Sequence, residues 1–121
     1  MFSIGIDSVE ISRIAKSMQN PRFLGYVLGE DELKLIEQKD IPTQSVAARF
    51  AAKEAFSKAI GTGLSGISLK DIQVLNDERG KPHLVLSGTA KEIADEKELD
   101  FDVSLTHTDT TATAAVIAFK R

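Results

Sequence analysis

The chain has 121 residues, 42% hydrophobic and 27% charged, with a formal net charge of −3 and no cysteine. That length and balance describe one globular domain, residues 1–121, able to bury roughly two thirds of its unfolded surface without staples. The absence of cysteine excludes disulfides, thiolate metal sites and a Cys nucleophile, and the absence of a basic surplus argues against a general grip on nucleic acid.

No apolar run approaches the ~20 residues of a membrane span, and the opening Met-Phe-Ser-Ile-Gly-Ile-Asp does not read as a signal peptide. The expected location is the cytoplasm. Phe2, Ile4 and Ile6 alternate with Ser3, Gly5 and Asp7, which predicts a half-buried strand ending at Asp7. Val9, Ile11, Ile14, Ala15 and Met18 then fall near helical spacing. Asp7 or Ser8 is the expected cap of that helix, and Asn20-Pro21 its end. Residues 22–39 predict a second helical region broken at Gly29, with Val27, Leu33 and Ile36 as core contacts.

Ile41-Pro42-Thr43 marks a break, with Thr43 or Ser45 as the cap of the next element. From Gln44 to Ile60 runs the strongest helix signal, rich in alanine and apolar over a wide face. Gly61 is its natural stop, followed by the loop Gly61–Gly66. The second half reads as β-rich: a strand over Ile67–Leu75, a turn at 76–80 and a returning strand Pro82–Leu86. Thr89 and Glu92 form a capping-box signature for a helix to about Leu99. Phe101, Val103 and Leu105 alternate in another strand, His107–Thr110 turns, and Ala112–Phe119 is apolar on both faces and so central. The fold class is α+β: an N-terminal strand and a long central helix packed on a small antiparallel sheet.

Glu54 is the only carboxylate between Asp40 and Asp71. Positions 47, 51, 54 and 58 share one helical face, so Glu54 and Lys58 project beside two small alanines. The same spacing also makes Glu54 and Lys58 a favourable i,i+4 surface pair, and Asp7 alone is equally well explained as a helix cap. Together, one Asp at a strand end and one Glu on an adjacent helix suit Mg²⁺, which is held by one or two carboxylates plus phosphates and water. Gly61-Thr62-Gly63-Leu64-Ser65-Gly66 matches G-x-G-x-x-G but follows a helix and opens a strand, the reverse of a dinucleotide fingerprint. It reads as helix termination and a turn, or as a loop able to approach a ligand. His107 reads as a turn residue and His83 as structural or exposed.

Three blocks nonetheless resemble the small holo-acyl-carrier-protein synthases, a class of 4′-phosphopantetheinyl transferases. They are Ile4-Gly5-Ile6-Asp7 with Glu10 and Arg13-Ile14, the run Arg49 to Gly63 containing Lys53-Glu54-Ala55-Phe56-Ser57-Lys58, and Val103 to Thr108. Asp71-Ile72 and Asn76 through Pro82 add to the likeness. One departure is Gly29 after Leu28, where the family often has Thr or Ser.

The resemblance implies the 4′-phosphopantetheinyl transferase fold and a Mg²⁺ ion on Asp7 and Glu54. Lys58, Gly61 and Gly63 are implied to border coenzyme A. Arg49 and Lys53 would meet its nucleotide phosphates, with His107 and Thr108 contributing from a neighbouring subunit. Arg13 would meet an acidic helix of acyl carrier protein. The implied assembly is a homotrimer with interfacial active sites, and the implied pathway role is fatty acid biosynthesis.

In the implied reaction, a carrier-protein serine attacks the coenzyme A pyrophosphate and adenosine 3′,5′-bisphosphate leaves. Such chemistry asks for charge neutralisation and alignment, with Glu54 and Lys58 as catalytic residues and either Glu54 or a metal-bound water as the base. A Mg²⁺-dependent phosphohydrolase and a non-catalytic coenzyme-binding module are the alternatives.

Overall fold

The computed structural model describes residues 2–40 and 42–121. Strand β1 (Phe2–Glu10) is followed by helices α1 (Ile11–Ser17), α2 (Phe23–Val27), α3 (Glu30–Ile36) and the long α4 (Pro42–Ile60). A 3₁₀ turn (Leu69–Asp71) leads into β2 (Ile72–Asn76) and β3 (Pro82–Leu86), then α5 (Gly88–Glu96), β4 (Leu99–His107) and β5 (Thr111–Lys120). The α+β order agrees with the expectation, and β5 is central, flanked by β1 and β4 in an antiparallel sheet. The expected meander divides in two, because β2 and β3 form a separate hairpin. No helix among the described residues is long and apolar enough to cross a membrane.

The core lies between α4 and the three-stranded sheet. β5 buries Ala112, Ala114, Val116 and Ala118, while α4 buries Val46, Ala47, Ala51, Ala52, Ala55, Phe56 and Ala59. These small residues favour helix on one side and let two backbones approach on the other. At Gly5 they nearly touch: an added Cβ would lie 2.0 Å from the Ala55 carbonyl oxygen and 2.7 Å from the Ala59 nitrogen. Two residues earlier, the Ser3 hydroxyl donates to the Ala59 carbonyl at 2.5 Å.

Several local expectations are corrected. β1 runs on to Glu10, so Val9 is a buried strand residue, and neither Asp7 nor Ser8 caps α1. Ser8 instead bonds Thr113 across the sheet at 2.8 Å. The alternation in β1 is present but inverted: Phe2, Ile4 and Ile6 are exposed at 71%, 67% and 59%, and the Gly5 face meets α4. A glycine face is chosen there because only it allows the close helix approach. Pro42 and Thr43 are already helical, so Thr43 and Ser45 are not caps; Ile41 of the expected break lies outside the described residues. Pro in the first turn loses no hydrogen bond that the helix needs. Residues 67–71 are a turn rather than strand. Ser87, not Thr89, stands at the N-cap of α5, which ends at Glu96.

The break at Gly29 is real and has a cause beyond glycine's flexibility. Gln73 of β2 accepts the N–H groups of Asp31 and Glu32 at 3.0 and 3.2 Å, capping α3 from another element. A Cβ at residue 29 would lie 2.4 Å from the Gln73 side chain.

Candidate active site

Asp7 pairs with Ala114 across the sheet, and Ala114 is fully buried under α4. Neighbouring positions on paired strands share a face, so Asp7 faces α4. Lys58 reaches it from the helix, donating to the Ile6 carbonyl at 3.0 Å and to Asp7 Oδ1 at 3.2 Å. Glu54 stands one turn earlier, half-buried. Burial pushes its carboxyl above the usual glutamate range, the nearby Asp7 carboxylate pushes the same way, and Lys58 pulls back. The sequence pair Asp7 and Glu54 thus comes close enough to interact, with the Lys58 ammonium bonded to Asp7 beside them.

That donor set fits a particular kind of cation. Among the described residues no group of three or more His, Asp or Glu side chains converges, so a closed cage of the zinc type is absent. Two oxygen donors with an excess negative charge suit Mg²⁺, which keeps open positions for water and phosphate. The loop after Lys58 lies open. Gly61 and Gly63 have φ of +80° and +65° with no atom within 4 Å of an added Cβ, so the backbone there is bare to an approaching ligand.

Arg49 and His107 are brought together elsewhere. They line a cleft of about 330 Å³ with Gln44, Ser45, Asn76 and Thr106. Arg49 donates to the Val74 carbonyl at 3.1 Å, to Asn76 Oδ1 at 3.0 Å and to the Ser45 carbonyl at 3.4 Å. Thr108 shapes the turn that carries His107, donating its N–H to the Thr111 carbonyl at 2.8 Å. At about 100° per residue, Arg49 lies roughly 140° around α4 from Glu54. Within one chain the carboxylate pair and the Arg49–His107 cleft therefore occupy opposite flanks of the same helix.

Lys53 does not face either flank. It is fully buried, and its ammonium donates to Glu32 at 2.7 Å and to the carbonyls of Leu69 and Ile72 at 2.9 and 2.5 Å. All three of its donors are spent inside the protein, which corrects the expectation that Lys53 meets a phosphate. The sequence does carry the signal: Val46, Phe50, Lys53, Ser57 and Ile60 fall on one helical stripe. Glu32, its partner, was hidden among the acidic residues that open α3. Arg13 is exposed on α1, with Lys16 and Arg22 also exposed on the same part of the chain.

Comparison with known proteins shows the family and the fold. The model of the 4′-phosphopantetheinyl transferase superfamily matches residues 3–116. A holo-[acyl-carrier-protein] synthase of Treponema denticola is 47% identical over 119 residues, 97% of each chain. Among solved structures, a holo-[acyl-carrier-protein] synthase from Neisseria meningitidis superposes with a TM-score of 0.91 at 33% identity, covering 98% of both chains. One from Bacillus anthracis, in complex with CoA (3′,5′-ADP), gives 0.83 at 38% identity, covering 98% of this chain and 96% of that one. On residues, fold and relatives together, the chain belongs to the 4′-phosphopantetheinyl transferase superfamily and, within it, to the holo-[acyl-carrier-protein] synthases.

Proposed function

We propose that the chain transfers the 4′-phosphopantetheine group from coenzyme A to a serine of apo acyl carrier protein, releasing adenosine 3′,5′-bisphosphate, in the cytoplasm and in support of fatty acid biosynthesis. The observation that carries this reading is the meeting of Asp7, Glu54 and Lys58 at the β1–α4 contact, in a family whose relatives have been solved with coenzyme A.

Asp7 and Glu54 would hold Mg²⁺. When bound, the ion supplies Lewis-acid polarisation of a phosphate and neutralises charge on the leaving group. Lys58 places a point charge beside Asp7, where a phosphate oxygen would sit. Glu54, on α4 beside Asp7, is the carboxylate placed to take the proton of the attacking serine. Gly61 and Gly63 offer open backbone for the pantetheine arm. Arg49 retains unspent guanidinium donors in the His107 cleft, suited to a nucleotide phosphate. Arg13 on α1 would meet an acidic helix of the carrier protein, as charge complementarity favours.

The opposite placement of the two half-sites on α4 supports an active site shared between copies, with His107 and Thr108 reaching the carboxylate pair of a neighbour. The uncovered outer sheet face supports the same assembly, a homotrimer. Phe2, Ile4 and Ile6 of β1 stand there beside Ile117 and Phe119 of β5, a contiguous apolar surface of the kind that marks an interface.

The test is mass spectrometry of apo acyl carrier protein incubated with coenzyme A and the chain, with and without Mg²⁺. A gain of one phosphopantetheine only with metal supports the reading. Release of product from coenzyme A without carrier modification indicates a phosphohydrolase instead, and no turnover of any kind indicates a binding module.

A further inference from the structure

We propose that the buried Glu32–Lys53 pair is a positioning device for Glu54, fixing the rotation of α4 so that the neighbouring carboxylate faces Asp7. This rests on the reading of Asp7 and Glu54 as the Mg²⁺ ligands. Three observations carry it. First, α4 meets the sheet largely through alanines, against Gly5, Ala112, Ala114 and Ala118. Apart from Phe56, which packs on Phe101 of β4 with ring centroids 4.9 Å apart, few knobs interlock there, so the contact gives area and limited resistance to rotation. Directional bonds supply the rest, from Arg49 to Val74 and Asn76 and from Lys58 to Ile6 and Asp7 at the two flanks, and from Lys53 in the interior.

Second, Lys53 supplies them at the residue adjacent to Glu54. Its ammonium is held by three acceptors on two segments: Glu32 of α3, and Leu69 and Ile72 around the entry to β2. Glu32 is held in turn, accepting the N–H of Gly29 at 3.0 Å and of Val74 at 2.9 Å. No buried polar side-chain atom is left unpartnered among the described residues. A shift of one residue, or a turn of α4 about its axis, would break several of these bonds together.

Third, the pair is an expensive way to gain stability alone. Both side chains are 0% exposed, and a buried ion pair is often no more stabilising than apolar residues of similar volume. Its directional value is what apolar residues lack. The same bond to Leu69 also ties the far end of the Gly61–Gly66 loop back to the helix from which the loop departs.

The experiment titrates Mn²⁺, a paramagnetic stand-in for Mg²⁺, into the full chain with saturating coenzyme A and reads bound metal by electron paramagnetic resonance. The variants are Lys53→Met, Glu32→Gln and the double Glu32→Leu/Lys53→Met, each checked for fold by near-ultraviolet circular dichroism. Residues that orient metal ligands typically change affinity about 10–100-fold. The folded single variants, and the double variant despite a recovered melting temperature, are expected to weaken Mn²⁺ binding by about tenfold or more. In a Glu54→Gln background, Lys53→Met should have no further effect. A stable double variant that binds Mn²⁺ within about twofold of the parent overturns the proposal, as does failure of all three to fold, which assigns the pair to folding alone. Asp7→Asn separates the two readings. If it abolishes binding while the pair variants do not, only the positioning inference fails; if it leaves binding intact, the metal assignment fails and the inference with it.

Discussion

Gly5→Ala would force apart the two elements that bring Asp7 to Glu54. The new Cβ would lie 2.0 Å from the Ala55 carbonyl oxygen, and ordinary contact begins near 3.4 Å, so β1 and α4 must separate by about 1.4 Å. The obstructing atoms are backbone, which cannot swing aside as a side chain would. Overpacking of this kind costs about 1–3 kcal/mol, which for a domain of this size lowers the melting temperature by roughly 4–12 °C. The loss in turnover should be larger than the loss in stability. Asp7 is two residues further along the same strand, and a misplacement of about 1 Å at a reacting centre can cost on the order of 100-fold in rate. The assay is initial-rate transfer of phosphopantetheine to apo carrier protein, run well below the variant's melting temperature. A Gly5→Ala protein with its melting temperature within about 2 °C of the parent and full turnover would refute both the tight approach and its role in setting the carboxylate pair.

Asp7→Asn and Glu54→Gln should each abolish metal-dependent carrier modification while leaving circular dichroism unchanged; near-normal transfer by either variant removes it from the ligand set. Arg13→Glu should raise the KM for acyl carrier protein by roughly tenfold, as loss of an electrostatic contact does, and leave the KM for coenzyme A unaltered. On the proposed trimer, Ile6→Glu, which places a charge on the outer face of β1, should give a monomer in light scattering and lose turnover with it, since the half-sites would then not meet. Glu54 also predicts a pH dependence. Its folded pKa is raised, so the folded state holds that proton more tightly, and stability falls as pH climbs from the unfolded to the folded pKa. Urea midpoints of the metal-free chain should therefore decline over that window relative to Glu54→Gln, and Mg²⁺ should flatten the difference.

Sequence periodicity alone carried α4, Gly61 as its stop and the central place of β5, because each is set by local composition. It could not tell which face of β1 turns inward. Phe2, Ile4 and Ile6 look like a core stripe, and only the closeness of α4 explains why Gly5 is preferred there. The cap of α3 went unread for a related reason: it is Gln73, 42 residues from Asp31, and no local pattern can show that. The candidate site divides likewise. Type and spacing allowed Asp7 and Glu54 to share a metal, the family resemblance gave them and Lys58 their roles, and their meeting needed the fold. Lys53 was assigned to a ligand on resemblance, whereas its place on the apolar stripe already pointed inward.

The pairing of Phe2 with Phe119 sets a timetable for synthesis. β1 leaves the ribosome well before β5, the strand that completes it, so the central sheet cannot close until β5 has followed. In the interval the alanine face of α4 lacks β5, and Asp7 has no rigid support from which to meet Glu54. Contacts this distant along the chain close slowly, and an uncovered apolar strand is prone to association while it waits. The half-made chain, with β1 still waiting for β5, is therefore the vulnerable species.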